Sequence, residues 1–149
     1  MAALRGTDER TAAAACSRAS LWSDIAWLAV ETAAREPVLR DVIADTRLMD
    51  AVPARIVGAV LARRLESGDR AEGAALQTLF VDSLEEEPAI LSALETDLLA
   101  VASHDPACRS PLHALLLLKG LHALQTHRIA HSLWQRERFD IALWLSSLA

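Results

Sequence analysis

Residues 104–134 read HDPACRSPLHALLLLKGLHALQTHRIAHSLW and decide how the C-terminal part of this chain folds. Asp105 and Pro106 predict a tight turn, because proline presets the backbone of a turn and aspartate bonds readily to the backbone two residues on. The apolar residues that follow, from Leu112 to about Gln135, recur at helical spacing. They predict one long helix after the turn.

The composition of the whole chain is that of a helical protein. Its 149 residues are 52% hydrophobic, with five glycines, five prolines and no tyrosine. Alanine and leucine, which are abundant here, are strong helix formers, whereas strands favour β-branched and aromatic residues. One domain of this length buries roughly two-thirds of its unfolded surface. We therefore predict an all-α fold, a bundle of about seven or eight short helices.

Caps and helix breakers divide the chain into these helices. The predicted helices begin after Ser20, at Pro37, near Asp50, before Leu76, at Pro88, at Leu112 and at Phe139. Ser20 and Asp50 are predicted N-caps, with Pro53 inside the first turn of the third helix. Ser67-Gly68-Asp69 is predicted to end that helix. Gly120 costs about 1 kcal/mol relative to alanine inside a helix, so we expect a kink or a close helix contact there. Residues 1–19 lack periodicity and predict a flexible tail, which leaves residues 20–149 as the helical domain.

Charge, hydropathy and cysteine spacing exclude several classes of partner. A net charge of −5 argues against nucleic acid, which normally requires a basic face. No apolar stretch approaches the length of a membrane-spanning helix. Cys16 and Cys108 lie in no paired motif, as is typical of free thiols in a reducing compartment. The sequence predicts a cytoplasmic protein with no nucleic-acid or membrane partner.

Histidines at positions 113, 122, 127 and 131 raise the question of a metal site. His127 and His131 share a helix face, but His122 lies about 140° from His127 around the same helix. No carboxylate completes a metal-ligand pattern, so we predict no metal site and expect imidazoles bonded to neighbouring helices or lining an interface. The sequence has neither a GxSxG turn nor a glycine-rich phosphate loop, and it predicts no catalytic or cofactor-binding residue.

Asp105 allows two interpretations. An aspartate before proline in a short loop is most often a turn or cap residue. Alternatively, its carboxylate projects from the loop to meet a cationic group of a ligand. The residues alone leave both open.

The C-terminal segment resembles the end of the N-terminal helical domain of the serine O-acetyltransferase family, which has a DPA turn followed by an LLYKGFHALQAHRIAHxLW-like helix. The matching residues are Asp105 to Ala107, Lys119 and Gly120, His122 to Gln125, His127 to His131, and Leu133 with Trp134. Weaker similarity extends back to about residue 20. The sequence departs from the family at His104, where arginine is usual, and at Leu121, where an aromatic residue is usual.

The resemblance implies acetyl transfer from acetyl-CoA to the hydroxyl of L-serine, giving O-acetylserine for cysteine biosynthesis. In the family, a histidine base and an orienting aspartate lie in a left-handed β-helix of hexapeptide repeats, which also forms the acetyl-CoA groove. This sequence contains no such repeats. By itself the chain is therefore expected to bind no cofactor and to be inactive.

The resemblance also assigns a substrate contact and a mode of assembly. The family's DPA aspartate helps to bind L-serine, and the same pocket accepts L-cysteine as an inhibitor; Asp105 stands at that position. Helical domains of the family form a homo-oligomer, a dimer of trimers in the complete enzyme. Two alternatives remain: a freestanding helical self-association or interaction module without catalysis, and an unrelated bundle that matches by chance.

Overall fold

The computed structural model of this protein describes residues 17–149, which form eight α-helices and one short 3-10 helix. The helices are α1 (Leu21–Arg35), the 3-10 helix (Pro37–Leu39), α2 (Arg40–Asp45), α3 (Pro53–Leu65), α4 (Arg70–Glu86), α5 (Pro88–His104), α6 (Pro111–Leu117), α7 (Lys119–Gln135) and α8 (Phe139–Leu148). The described part of the chain contains no strand. The prediction of an all-α bundle of seven or eight helices is confirmed. Most of the predicted tail lies outside the described residues, as does Cys16.

The most extensive helix packing in the described residues is between α3 and α4. Helix α3 is buried over most of its length, and Phe80 of α4 is completely buried. A side-chain Cβ at Gly58 would lie 2.7 Å from Cγ2 of Val81, so glycine lets the two helices approach this closely. Between them, Gly68 adopts a positive φ of 97°, a conformation that glycine adopts without strain. The predicted stop at this turn is confirmed.

Of the two predicted N-caps, one is confirmed in position only and the other is wrong. Ser20 occupies the N-cap position of α1, but its hydroxyl bonds to Ser17 and makes no capping bond to the helix. Asp50 accepts a hydrogen bond from the N–H of Val52 at 2.9 Å, in a turn before α3, and Val52 itself occupies the N-cap position. In both cases the polar side chain bonds to a nearby loop group instead of to an N–H group of the helix. The spacing of residues in the sequence does not distinguish these two outcomes.

The prediction of one long helix over residues 112–135 is also wrong. Helix α6 ends at Leu117, Leu118 is extended (φ −82°, ψ 100°), and α7 begins at Lys119. The His122 Nε2 lies 2.7 Å from the carbonyl oxygen of Leu115, and it must donate because a carbonyl only accepts. This bond satisfies a carbonyl that the break frees from helical pairing.

Gly120 lies two residues after this break and has no close neighbour. A Cβ at this position would meet no atom within 4 Å. The expected close helix contact is therefore absent, and the change of direction falls at Leu118 instead.

Helix α1 is attached to α5 by one carboxylate. Glu95 accepts a hydrogen bond from the indole N–H of Trp22 at 2.8 Å and pairs with Arg18 at 3.1 Å. These contacts hold the beginning of the described chain against the middle of α5. Across residues 17–149, no helix has the length and apolar character needed to cross a bilayer.

Candidate substrate-binding loop

The Asp105 loop, residues 105–110, connects α5 to α6. Asp105 ends α5, and its own N–H bonds to the carbonyl of Val101 at 2.9 Å. Its Oδ1 accepts from the N–H of Ala107 at 2.8 Å, and its carbonyl accepts from the N–H of Cys108 at 3.0 Å. The interpretation of Asp105 as a turn residue is therefore confirmed.

The other end of the loop is anchored by Ser110, which caps α6. Its Oγ accepts from the N–H of His113 at 3.2 Å, and its carbonyl oxygen lies 3.3 Å from the Cys108 thiol. Pro111 follows as the first residue of α6, where its missing N–H leaves no bond unmade. Caps at both ends hold the backbone of the loop, which fixes the position of the Asp105 carboxylate relative to α5 and α6.

The turn uses only part of the hydrogen-bonding capacity of Asp105. A carboxylate has two oxygens and can accept about four hydrogen bonds, whereas the Ala107 N–H occupies one position on Oδ1. Within residues 17–149, Asp105 forms no ion pair. The side chain is half-buried. An accessible, uncompensated carboxylate of this kind is suited to bind an ammonium or guanidinium group.

His104, the neighbour of Asp105, does not neutralise this carboxylate. Its Nδ1 lies 2.8 Å from the carbonyl of Ala100 and 2.9 Å from the hydroxyl of Ser103. The Nδ1 must donate to the Ala100 carbonyl, so the imidazole is turned back onto α5. Residue 104 is exposed.

A polar network fixes α5 against α7 two helical turns before Asp105. Asp97 Oδ2 accepts from Arg128 Nη1 at 2.5 Å and from Gln125 Nε2 at 3.2 Å. Arg128 Nη1 also lies 3.1 Å from Gln125 Oε1, and Gln125 is only 1% exposed. Sequence reasoning did not find this network, since Asp97 lies 28 residues before Gln125 and 31 before Arg128 and no local spacing connects them.

The four histidines of this segment differ in exposure, and His113 is half-buried. His122 is 4% exposed, while His127 and His131 are exposed on α7. Burial lowers the pKa of His122, and Arg64 lowers it further against the opposing effect of the Leu115 hydrogen bond. Among the residues that the structure describes, no group of three His, Cys, Asp or Glu side chains is placed to hold a metal.

The surface of α7 and α8 carries exposed apolar side chains, which we call the α7–α8 patch: Trp134, Phe139 and Leu143. The rings of Trp134 and Phe139 meet edge to face with centroids 4.7 Å apart. Beside them, a shallow cavity of about 280 Å³ is lined by His127, His131 and Leu143. Clustered apolar groups of this kind are typical of interaction surfaces.

Comparison with known proteins identifies the family. The family model described as "Serine acetyltransferase, N-terminal" matches residues 21–126. A probable serine acetyltransferase 1 from Oryza sativa subsp. japonica is 39% identical over 127 residues, which are 85% of this chain and 42% of that protein. The chain thus spans less than half the length of this relative.

Solved structures of serine acetyltransferases have the same helical fold. The enzyme of Neisseria gonorrhoeae in complex with serine matches 84% of this chain and 52% of its own, with a TM-score of 0.77 and 32% identity. A complex with CoA matches 89% and 56%, with a TM-score of 0.80 and 30% identity. A complex with cysteine matches 87% and 50%, with a TM-score of 0.79 and 30% identity. The chain therefore belongs to the serine acetyltransferase family and matches its N-terminal domain.

Proposed function

We propose that this chain is the oligomer-forming and substrate-contributing domain of a cytoplasmic serine O-acetyltransferase. The complete enzyme transfers the acetyl group of acetyl-CoA to L-serine and gives O-acetylserine for cysteine biosynthesis. One observation carries the proposal: in a domain of this family, the Asp105 loop presents a half-buried carboxylate that has no ion-pair partner among residues 17–149. Asp105 is the residue to which we assign the ammonium group of L-serine.

The chemistry of the reaction explains why binding, not catalysis, is assigned to this chain. The serine hydroxyl oxygen attacks the thioester carbonyl, the carbon–sulfur bond breaks, and the CoA thiolate leaves. The hydroxyl proton passes to a general base, since a neutral hydroxyl is a weak nucleophile. We assign no residue of this chain to that base or to CoA. Asp105 contributes by fixing the amino end of serine, which leaves the hydroxyl free to be positioned for attack.

The same contact accounts for L-cysteine as an inhibitor. Cysteine has the ammonium and carboxylate groups of serine and differs only in a thiol at the hydroxyl position. A carboxylate that binds the ammonium group cannot distinguish the two amino acids. The solved complexes of related enzymes with serine and with cysteine support this proposal.

Assembly is the second proposed role of the domain. The α7–α8 patch presents Trp134 at 47% exposure, and tryptophan is enriched in protein interfaces. We propose that this patch contributes to a homo-oligomer, a dimer of trimers in the complete enzyme. Analytical ultracentrifugation of the Trp134→Ala variant tests this role. Loss of the Trp134 side chain should shift the chain toward smaller oligomers.

Two assays test the enzymatic assignment together. Serine-dependent release of CoA by the purified 149-residue chain should not exceed the background. A hybrid in which residues 17–149 replace the matching domain of the Neisseria gonorrhoeae enzyme should assemble and acetylate serine. Activity of the isolated chain would contradict the proposal that the catalytic residues lie outside it. A folded but inactive hybrid would contradict the proposal that this domain serves a serine acetyltransferase.

The alternative function is that of a freestanding module for self-association or for binding another protein, without catalysis. The α7–α8 patch favours it, because such a surface needs no active site to act. A folded hybrid without activity, combined with self-association of the isolated chain, would support this alternative.

A further inference from the structure

The position of the Asp105 carboxylate depends on where α5 ends. Asp105 is the C-cap of this helix, and its N–H bonds to the carbonyl of Val101 at 2.9 Å. Its Oδ1 accepts from the N–H of Ala107 at 2.8 Å, which fixes the side chain relative to the last turn of α5. A slide or rotation of α5 would therefore move the carboxylate with it.

Apolar packing and polar contacts hold α5 in different ways. The buried side chains of α5 recur at helical spacing on one face: Ile90, Leu94, Leu98 and Ala102. Burial of apolar surface is non-directional, whereas a hydrogen bond restricts both the distance and the angle between its groups. A polar contact between α5 and a neighbouring helix therefore defines the position of α5 more narrowly than apolar burial alone does.

Asp97 makes such a contact close to the Asp105 loop. Among residues 17–149, it is the one side chain within α5 that bonds to α7, through Arg128 at 2.5 Å and Gln125 at 3.2 Å. Asp97 lies about two helical turns, or roughly 12 Å along the axis, before Asp105. Glu86 and Glu87 also contact α7, but they precede the first residue of α5, at the end away from the loop.

The two donors from α7 are fixed relative to each other. Gln125 and Arg128 lie one helical turn apart, and Arg128 Nη1 is 3.1 Å from Gln125 Oε1. Gln125 is 1% exposed, and the side chains of Arg128 and Asp97 are 29% and 27% exposed. Partial burial reduces the screening of this charge pair by salt. The Asp97 carboxylate is thus held between two donors that cannot move independently.

We propose that Asp97 is a positioning residue for the substrate contact: through Gln125 and Arg128 it sets the position of α5 against α7, and hence that of the Asp105 carboxylate. This inference rests on the proposed role of Asp105 in binding the ammonium group of serine. Asp97 itself is assigned no contact with serine. Binding groups must be held within about 0.5 Å of their productive geometry, so a small shift of α5 weakens the ammonium contact.

Steady-state kinetics of Asp97→Ala in the hybrid enzyme test the proposal. The KM for serine and the inhibition constant of cysteine should rise by the same factor, about three- to tenfold, with kcat and the KM for acetyl-CoA little changed. A role in stability alone would lower the amount of active enzyme, and hence kcat, without changing the KM for serine. Asp97→Asn keeps an acceptor oxygen, so it should raise this KM by a smaller factor, and it provides the same test if Asp97→Ala does not fold.

Combination with Asp105→Asn shows whether Asp97 acts through Asp105. In that background Asp97→Ala should raise the KM for serine no further, because the contact that it positions is already lost. Equal increases in both backgrounds would overturn the proposal. So would an unchanged KM in Asp97→Ala when Asp105→Asn raises it, a result that leaves the proposed function intact. An unchanged KM in Asp105→Asn would contradict the proposed role of Asp105 and this inference with it.

Glu86→Ala is the matched control. Glu86 pairs with Arg136 of α7, so this variant also breaks an ion pair to α7, but it does so before the start of α5. The KM for serine should be unchanged. An increase equal to that of Asp97→Ala would show that any loss of a contact with α7 weakens serine binding, and it would overturn the specific role of Asp97.

Discussion

The α3–α4 pair and the α6–α7 junction are both helical, but their residues differ in how they affect the stability of the helices. In the first, glycine at position 58 serves packing, because a Cβ would lie 2.7 Å from Val81. In the second, Gly120 has open space where a side chain would lie, Lys119 opposes the helix dipole, and the Nδ1 of the buried His122 has no hydrogen-bond partner among residues 17–149. The residues of the α3–α4 pair therefore favour stability, whereas those of the junction do not.

The largest expected effect lies in the core beneath α4. Phe80 is completely buried, so Phe80→Ala should lower the free energy of unfolding by about 3–5 kcal/mol. Urea unfolding followed by tryptophan fluorescence measures the change. The control is Val38→Ala, since Val38 is 81% exposed and its loss should change stability by no more than about 0.5 kcal/mol. Similar losses for both variants would contradict this location of the core.

The next largest expected effect is the loss of stability when the polar network between α5 and α7 is broken. Asp97→Ala removes the acceptor of the buried Gln125 Nε2 and one of the two acceptors of Arg128 Nη1, so we expect a loss of about 1–2 kcal/mol. Asp45→Ala is the matched change in an ion pair exposed to solvent, where Arg63 loses its partner, and its loss should remain below about 1 kcal/mol. Equal losses in urea unfolding would show that the network adds no more than an ordinary surface pair.

Substitution of the two glycines tests the comparison directly. Gly58→Ala forces Val81 to move and should destabilise the protein by about 1 kcal/mol, after the intrinsic helix preference for alanine is subtracted. Gly120→Ala meets open space and should stabilise it by up to about 1 kcal/mol. Thermal unfolding of both variants should show a lower melting temperature for Gly58→Ala and a higher one for Gly120→Ala. A destabilised Gly120→Ala would show that this glycine has a structural role.

The smallest expected effect is a pH dependence due to His122. Its pKa in the folded protein is lowered, while in the unfolded chain it is about 6.5. Between these values the unfolded state binds more protons, so the stability contribution is fully present above about pH 6.5 and is lost as the pH falls toward the lowered pKa. In urea unfolding at pH 5.5 and pH 7.5, His122→Gln should lose less stability at the lower pH than the parent chain. An identical pH dependence in both proteins would contradict this assignment.

The sequence predicted the parts of the fold that depend on local pattern. Helical periodicity, the prolines that begin α3 and α5, and the Gly68 turn all appear at the expected positions. Gly120 indicated a kink nearby, but the break at Leu118 itself was not predictable, because no proline or glycine occupies that position and the carbonyl freed by the break is satisfied by His122, seven residues after Leu115. Periodicity detects which residues are apolar and does not detect a bond between a side chain and a distant carbonyl.

The candidate site shows the same limit. The turn at Asp105 could be predicted from Asp-Pro alone, and its hydrogen bond to the Ala107 N–H agrees. The role assigned to its carboxylate came from family resemblance, since no local pattern distinguishes a ligand-binding aspartate from a turn aspartate. The network of Asp97, Gln125 and Arg128 required the packing of α5 on α7, which only the three-dimensional structure supplies.

The serine kinetics of Asp105→Asn in the hybrid enzyme test the assigned substrate contact most directly. Asparagine keeps the Oδ1 acceptor for the Ala107 N–H and removes the charge, so the loop should remain folded. Loss of a hydrogen bond to a charged group is worth about 1.5–3 kcal/mol, which corresponds to a KM for serine raised about 10- to 150-fold with kcat little changed. Asp140→Asn, at an exposed position of α8, should leave both constants unaltered. An unchanged KM for serine in Asp105→Asn would contradict the assignment of Asp105 to the substrate ammonium.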